Sequence, residues 1–182
     1  MAQKVKLSNV RLAFPNLFEK DQYGRYGATF IMPKESPAHK AMQKALRGVA
    51  EADLKGKMPT PSSVCLKDSS EKADYAGFEE GTLYVSASRK EAFKPNQIIH
   101  RDKTPIESEG VLYPGCYVNA VINVWAQDNN YGKKINAELV GVQFYKDGDR
   151  LGRGSTNIED DDFDSLPDIE DSSEPEGAEA YF

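Results

Sequence analysis

CYVNAVINVWA (residues 116–126) and KINAELVGVQFYK (134–146) are joined by QDNNYGK (127–133). In the first segment Val118, Ala120, Ile122 and Val124 fall on one parity, and Tyr117, Asn119, Val121, Asn123 and Trp125 on the other. Side chains alternate across a strand with a period of two, so this spacing reads as a strand with one apolar face. The second segment is a strand of similar length, and the polar Asn/Gly stretch between them supplies a turn. Together they predict an antiparallel hairpin.

The same period appears elsewhere. Over residues 4–14, Val5 and Leu7 share one parity, and Val10, Leu12 and Phe14 the other. That phase slip predicts a bulge near Ser8–Asn9. YGATFIM (26–32) reads as a second strand ended by Pro33, and TLYVSASR (82–89) as another, with Leu83, Val85 and Ala87 opposite Tyr84, Ser86 and Ser88. A short strand is expected at Gln97–His100. Ser36-Pro37 offers a helix cap with proline in the first turn. Met42, Ala45, Leu46 and Val49 then form one apolar stripe, which predicts a helix over 37–53. Residues 55–81 are a polar excursion, with a short helix expected around Asp68–Ala76. No βαβ alternation is present. The pattern therefore points to a mainly β barrel or sandwich with one inserted helix and long loops, of which the five-stranded OB-fold barrel is one instance.

The formal net charge of −6 conceals two opposed parts. Residues 159–182, EDDDFDSLPDIEDSSEPEGAEAYF, hold 11 of the 29 acidic residues and none of the 23 Lys and Arg. The preceding body is therefore net +5 and this tail −11. A basic body suits a polyanion, and a tethered acidic segment can compete for the same surface. The expected division is a nucleic-acid-binding domain over 1–154 and a disordered acidic tail over 155–182. The tail ends on Tyr181-Phe182, apolar rings that a solubility device has no need of. We therefore read docking to a partner protein through Phe182, Tyr181, Asp160, Asp161 and Asp162, together with competition for the groove. No signal-like apolar stretch opens the chain, and no run nears the roughly 20 apolar residues a membrane helix needs, so a cytoplasmic protein without a membrane partner is expected. Cys65 and Cys116 form no CxxC pair and read as free thiols.

Signals for catalysis are poor. There are only two histidines, His39 and His100, and no GxSxG, HExxH, GxxxxGK[ST] or GxGxxG. Asp160, Asp162 and Asp164 open like a calcium loop, but Ser165 stands in place of its glycine. No enzyme, cofactor or metal is expected. The polar face of 117–125 instead suits a stacking platform, in which rings take the faces of bases and amides their edges. Tyr117, Trp125, Tyr84 and Tyr131 are the candidate stackers. Lys133, Lys134, Arg89, Lys90 and Arg11, with Asn119 and Asn123, are the candidate phosphate and polar contacts. Two other classes stay open: a protein–protein adaptor or virion component that uses the tail without touching DNA, and a nuclease or recombination enzyme with a scattered acidic site.

YPGCYVNA (113–120), NNYGKKINAELVGVQ (129–143), DGDRLGRG (147–154) and the DDF of 161–163 together resemble a bacteriophage family linked to single-stranded-DNA binding. The resemblance covers most of residues 5–163 and implies an OB-fold. It also implies a non-enzymatic protein that coats and protects single-stranded DNA, largely without regard to sequence, during phage replication and recombination in the host cytoplasm. A tail of this style implies recruitment of replication and recombination proteins. A homodimer is expected.

Overall fold

The phase slip in the first strand is a real bulge. In the computed structural model, which describes residues 2–72, 75–130, 132–151 and Leu166, β1 runs Gln3–Asn16 and β6 runs Tyr117–Asn129. They pair antiparallel, with Leu7 opposite Ala120 but Val10 opposite Val118, so one extra residue sits on β1. Asn9 takes it up with a left-handed φ of 54°, a conformation asparagine tolerates. Its amide N–H, lost to the ladder, donates to Asn119 Oδ1 at 2.9 Å. The bulge turns both parities inward, and Leu7 and Val10 are both fully buried.

The remaining elements follow in chain order: β2 (Tyr26–Pro33), α1 (Pro37–Asp53), β3 (Leu66–Asp68), β4 (Thr82–Arg89), β5 (Ile98–Ile99) and β7 (Gly132–Lys146). Antiparallel pairings join β2 to β1, β2 to β4, β6 to β1 and β6 to β7. A parallel bridge, Ser88 to Glu138, brings β4 to β7 and closes a five-stranded ring β1–β2–β4–β7–β6. This is the OB-like barrel. The inward parities of the strands fill it: Val5, Leu12, Phe30, Val85, Ala87, Val118, Ala120, Ile122, Val124, Leu139 and Val142 are all buried.

The helix forms where its cap and stripe place it. Ser36 Oγ accepts from His39 N–H at 3.2 Å, and Met42, Ala45, Leu46 and Val49 are buried. Each such side chain removed from water contributes about 1.5–3 kcal/mol, less for alanine. The helix packs mainly against β1 and also touches β6 and β2.

Three local expectations need correcting. The excursion 55–81 contains a strand, β3, paired to β4 through Lys67 and Tyr84. Three residues are too few for a legible alternation. The short helix expected at 68–76 is a 3-10 turn, Ser69–Lys72, and residues 73–74 lie outside the described residues. The hairpin also zips further than its polar turn suggested, with pairing continuing to Asn129 opposite Gly132.

After β7 the chain turns back as a strap, residues 147–151. Tyr113 Oη donates to Asp147 Oδ1 at 2.6 Å, which pushes the phenol's pKa up. Arg11 Nη2 donates to the Asp149 carbonyl at 2.7 Å, and Leu151 N–H to the Pro114 carbonyl at 2.8 Å. Gly115, at φ +110°, is required there because a Cβ would run into the Asp149 carbonyl. The strap thus fixes the chain as far as Leu151.

Candidate nucleic-acid interface

In OB-folds the face of barrel strands 2 and 3, flanked by the loops joining strands 1–2 and 4–5, is where oligonucleotides bind. Here those strands are β2 and β4, and the loops are residues 17–25 and the β6–β7 tip. An open groove of about 720 Å³ lies against the β4 part of this face, with Arg25 reaching it from the loop before β2. One side is β3 and β4 with the preceding 3-10 turn Pro61–Ser63. The other is the β6–β7 hairpin.

Four cations line it: Arg25 from the loop before β2, Lys67 on β3, Lys72 after β3, and Lys134 on β7. Glu138 is the one carboxylate of the lining, and Asn123 Nδ2 lies 3.5 Å from its Oε1. Trp125 is 39% exposed on the hairpin side, an open ring among hydroxyls and amides. Ser86 Oγ is 2.9 Å from Thr29 Oγ1, and Asn136 Nδ2 donates to Gln127 Oε1 at 3.3 Å. Burial pushes the Cys65 thiol, also in the lining, up to about 11. It therefore stays neutral near pH 7. A groove with four cations, an open indole and neutral polar groups can hold phosphates and stack a base.

The residues singled out from the sequence divide among several places. Trp125 and Lys134 lie in the groove, with Lys133 exposed one residue before Lys134. Tyr84 lines the groove's floor, but its ring is only 5% exposed. It packs at 5.3 Å on Phe78, and burial followed by the Glu71 charge raises its pKa. Tyr117 sits at the opposite end of β6, about 26 Å of strand from Trp125 at the usual rise. Lys146 Nζ and the Arg11 guanidinium stand 4.9 and 5.8 Å from its ring centre. The strap covers it closely enough that a Cβ on Gly148 would approach its ring to 2.7 Å.

Arg11 is engaged by the carbonyls of Gly115 and Asp149. Arg89 stacks 4.9 Å over Phe93, away from the groove lining, and Lys90 beside it is exposed. Asn119 caps the bulge, its Nδ2 donates to Gln143 Oε1 at 3.3 Å, and it lines a second, more apolar hollow with Lys4, Lys6 and Lys94. Tyr131, Asp160, Asp161, Asp162, Tyr181 and Phe182 lie outside the described residues, as does most of the 155–182 tail.

Sequence reasoning missed Arg25, Lys67 and Lys72. Arg25 directly precedes a strand, and the alternation Leu66-Lys67 was too short to stand out. Among the described residues no group of three or more His, Cys, Asp or Glu converges as a metal site, and no helix is long and apolar enough to cross a membrane.

Comparison with known proteins gives a consistent answer. Residues 3–174 match the model of the family described as Enterobacter phage Enc34, ssDNA-binding protein. A putative protein p50 of Acyrthosiphon pisum secondary endosymbiont phage 1 is 36% identical over 188 residues, spanning 90% of this chain and 94% of that one. The single-stranded DNA-binding protein of bacteriophage Enc34 superposes with a TM-score of 0.67 at 29% identity, covering 85% of this chain and 87% of its own. The same phage protein in complex with ssDNA gives a TM-score of 0.70 at 28% identity, over 82% of this chain and 89% of its own. With the OB-like barrel and its cationic groove already in place, the chain belongs to the family of the Enc34 phage single-stranded-DNA-binding protein, a non-enzymatic family.

Proposed function

We propose that this protein binds single-stranded DNA in the groove between β4 and the β6–β7 hairpin, largely without regard to sequence. Arg25, Lys67, Lys72 and Lys134 take phosphates there, Lys133 assists from the hairpin, and Trp125 stacks on a base. The observation that carries the reading is this convergence, on the OB binding face, of four cations and an open indole. Tyr131, which falls between β6 and β7 in the sequence, is a further stacker in the same reading. Tyr117, Asn119, Asn123, Arg11, Arg89 and Lys90 keep a smaller part in it, since several are engaged within the fold.

The protein would coat and protect unpaired strands during phage replication and recombination in the host cytoplasm. Residues 1–154 form the binding domain and 155–182 the tail. The tail contests the groove and docks replication or recombination proteins through Phe182, Tyr181, Asp160, Asp161 and Asp162. The strap supports competition: it fixes Leu151, and the eight residues to Glu159 span at most about 28 Å. In the same reading the protein associates as a dimer.

Fluorescence titration of the full chain with oligo-dT, using Trp125 quenching as readout, tests the binding. No quenching and no retardation of oligo-dT in dilute salt, even after residues 159–182 are removed, would end it. Removing the tail is expected to raise affinity at about 50 mM salt, where electrostatic competition is strongest. Light scattering reads the oligomeric state.

A further inference from the structure

Phe14 is held where a phenylalanine has little reason to be. Its backbone is left-handed, at φ 46°, and its ring is 45% exposed. A bulky residue in that region is a genuine outlier, and strain of this kind often marks a site. Tyr75, 52% exposed, stands edge-on to Phe14 at 5.4 Å. Phe14 also stacks at 5.8 Å on Phe78, whose ring meets that of Tyr84 at 5.3 Å. Tyr84 is the floor of the groove. An unbroken file of rings therefore leads from the groove out to two open aromatics.

A charge bridges the same path. Lys72, which lines the groove, places Nζ 5.7 Å from the Tyr84 ring centre and 5.4 Å from that of Tyr75. A phosphate held by Lys72 is thus within reach of both the groove and the open rings. Leu151 packs against this cluster beside Gly77.

We infer that Phe14 and Tyr75 are a second base-stacking station, which takes nucleotides of the single strand as it leaves the groove past Lys72. This rests on the groove being the DNA-binding site and extends it outward from Lys72 to Phe14 and Tyr75. A strand crossing here gains contacts that a short oligonucleotide confined to the groove does not make.

Anisotropy of labelled oligo-dT, from about 4 to 16 nucleotides, separates the possibilities, since OB-fold site sizes fall in that range. The full chain is compared with Phe14→Leu/Tyr75→Leu, which keeps apolar packing but removes the rings, and with Trp125→Ala. The double variant's far-ultraviolet circular dichroism should match the wild type. On the shortest oligonucleotides it should bind like the wild type, and on the longer ones roughly 5- to 150-fold more weakly, the loss expected for one stacked base. Trp125→Ala should bind weakly at every length. Equal affinity of the double variant and wild type at all lengths overturns the inference, whatever happens to oligomeric state. So does a uniform loss at every length. If the wild type itself fails to bind any oligonucleotide, the groove reading falls and this station with it.

Discussion

Replacing Arg25 and Lys134 by glutamine should flatten the salt dependence of DNA binding. Both side chains are exposed on the groove, so neither substitution disturbs the core. If each of the four groove cations neutralises one phosphate, log K should fall with log salt at a slope of about −2.8, taking roughly 0.7 per phosphate on a single strand. Raising salt from about 50 to 200 mM then lowers wild-type affinity roughly 50-fold. With two of the four removed, the slope becomes about −1.4 and the same change costs only about sevenfold. The assay is oligo-dT titration at three or more salt concentrations. A matched control, Lys40→Gln/Lys44→Gln on the exposed face of α1, removes the same charge far from the groove and should leave the slope intact. An unaltered slope in Arg25→Gln/Lys134→Gln would refute the groove. Equal flattening by the control would show that the net field, and not this site, sets the affinity.

Trp125→Ala should weaken oligo-dT binding by about 1–3 kcal/mol while barely changing the urea midpoint, because the ring is 39% exposed. A folded variant with full affinity would remove it from the site. Ser36→Ala deletes the bond from His39 N–H and should cost about 1 kcal/mol, lowering Tm by roughly 2–4 °C in calorimetry. Burial raises the pKa of both Cys65 and Cys116 from 9.0 to about 11. The folded protein keeps protons there that the unfolded chain releases first, so this stability is intact below about pH 9 and lost as pH climbs towards 11. Urea midpoints across that window should fall more steeply for the wild type than for Cys65→Ala/Cys116→Ala; parallel curves would contradict it. Gly115→Ala should unfold or severely destabilise the protein, since it combines a φ of +110° with a collision at the Asp149 carbonyl. A thermal melt like the wild type's would show that the strap can move.

Periodicity is a local property, so residues a few positions apart carried the elements. Val118, Ala120, Ile122 and Val124 announced a buried strand face, the slip after Leu7 announced a bulge, and Ser36-Pro37 with Met42, Ala45, Leu46 and Val49 announced a capped helix. The charge division between body and tail was equally plain, because it needs only counting. The site was not legible in the same way. Tyr117 and Trp125 share a parity on one strand, but the strap covers the first and the groove opens beside the second. Arg11 looked like a free cation until the fold brought the carbonyls of Gly115 and Asp149 to it. Arg25, Lys67 with Lys72, and Lys134 come from three separate stretches and meet only because closure of the ring at Ser88 and Glu138 brings β4 beside β7. Sequence thus determined a basic β-barrel with one helix and an acidic extension. Which of its cations and rings face one ligand was decided by strand closure, a long-range pairing that leaves no periodic trace.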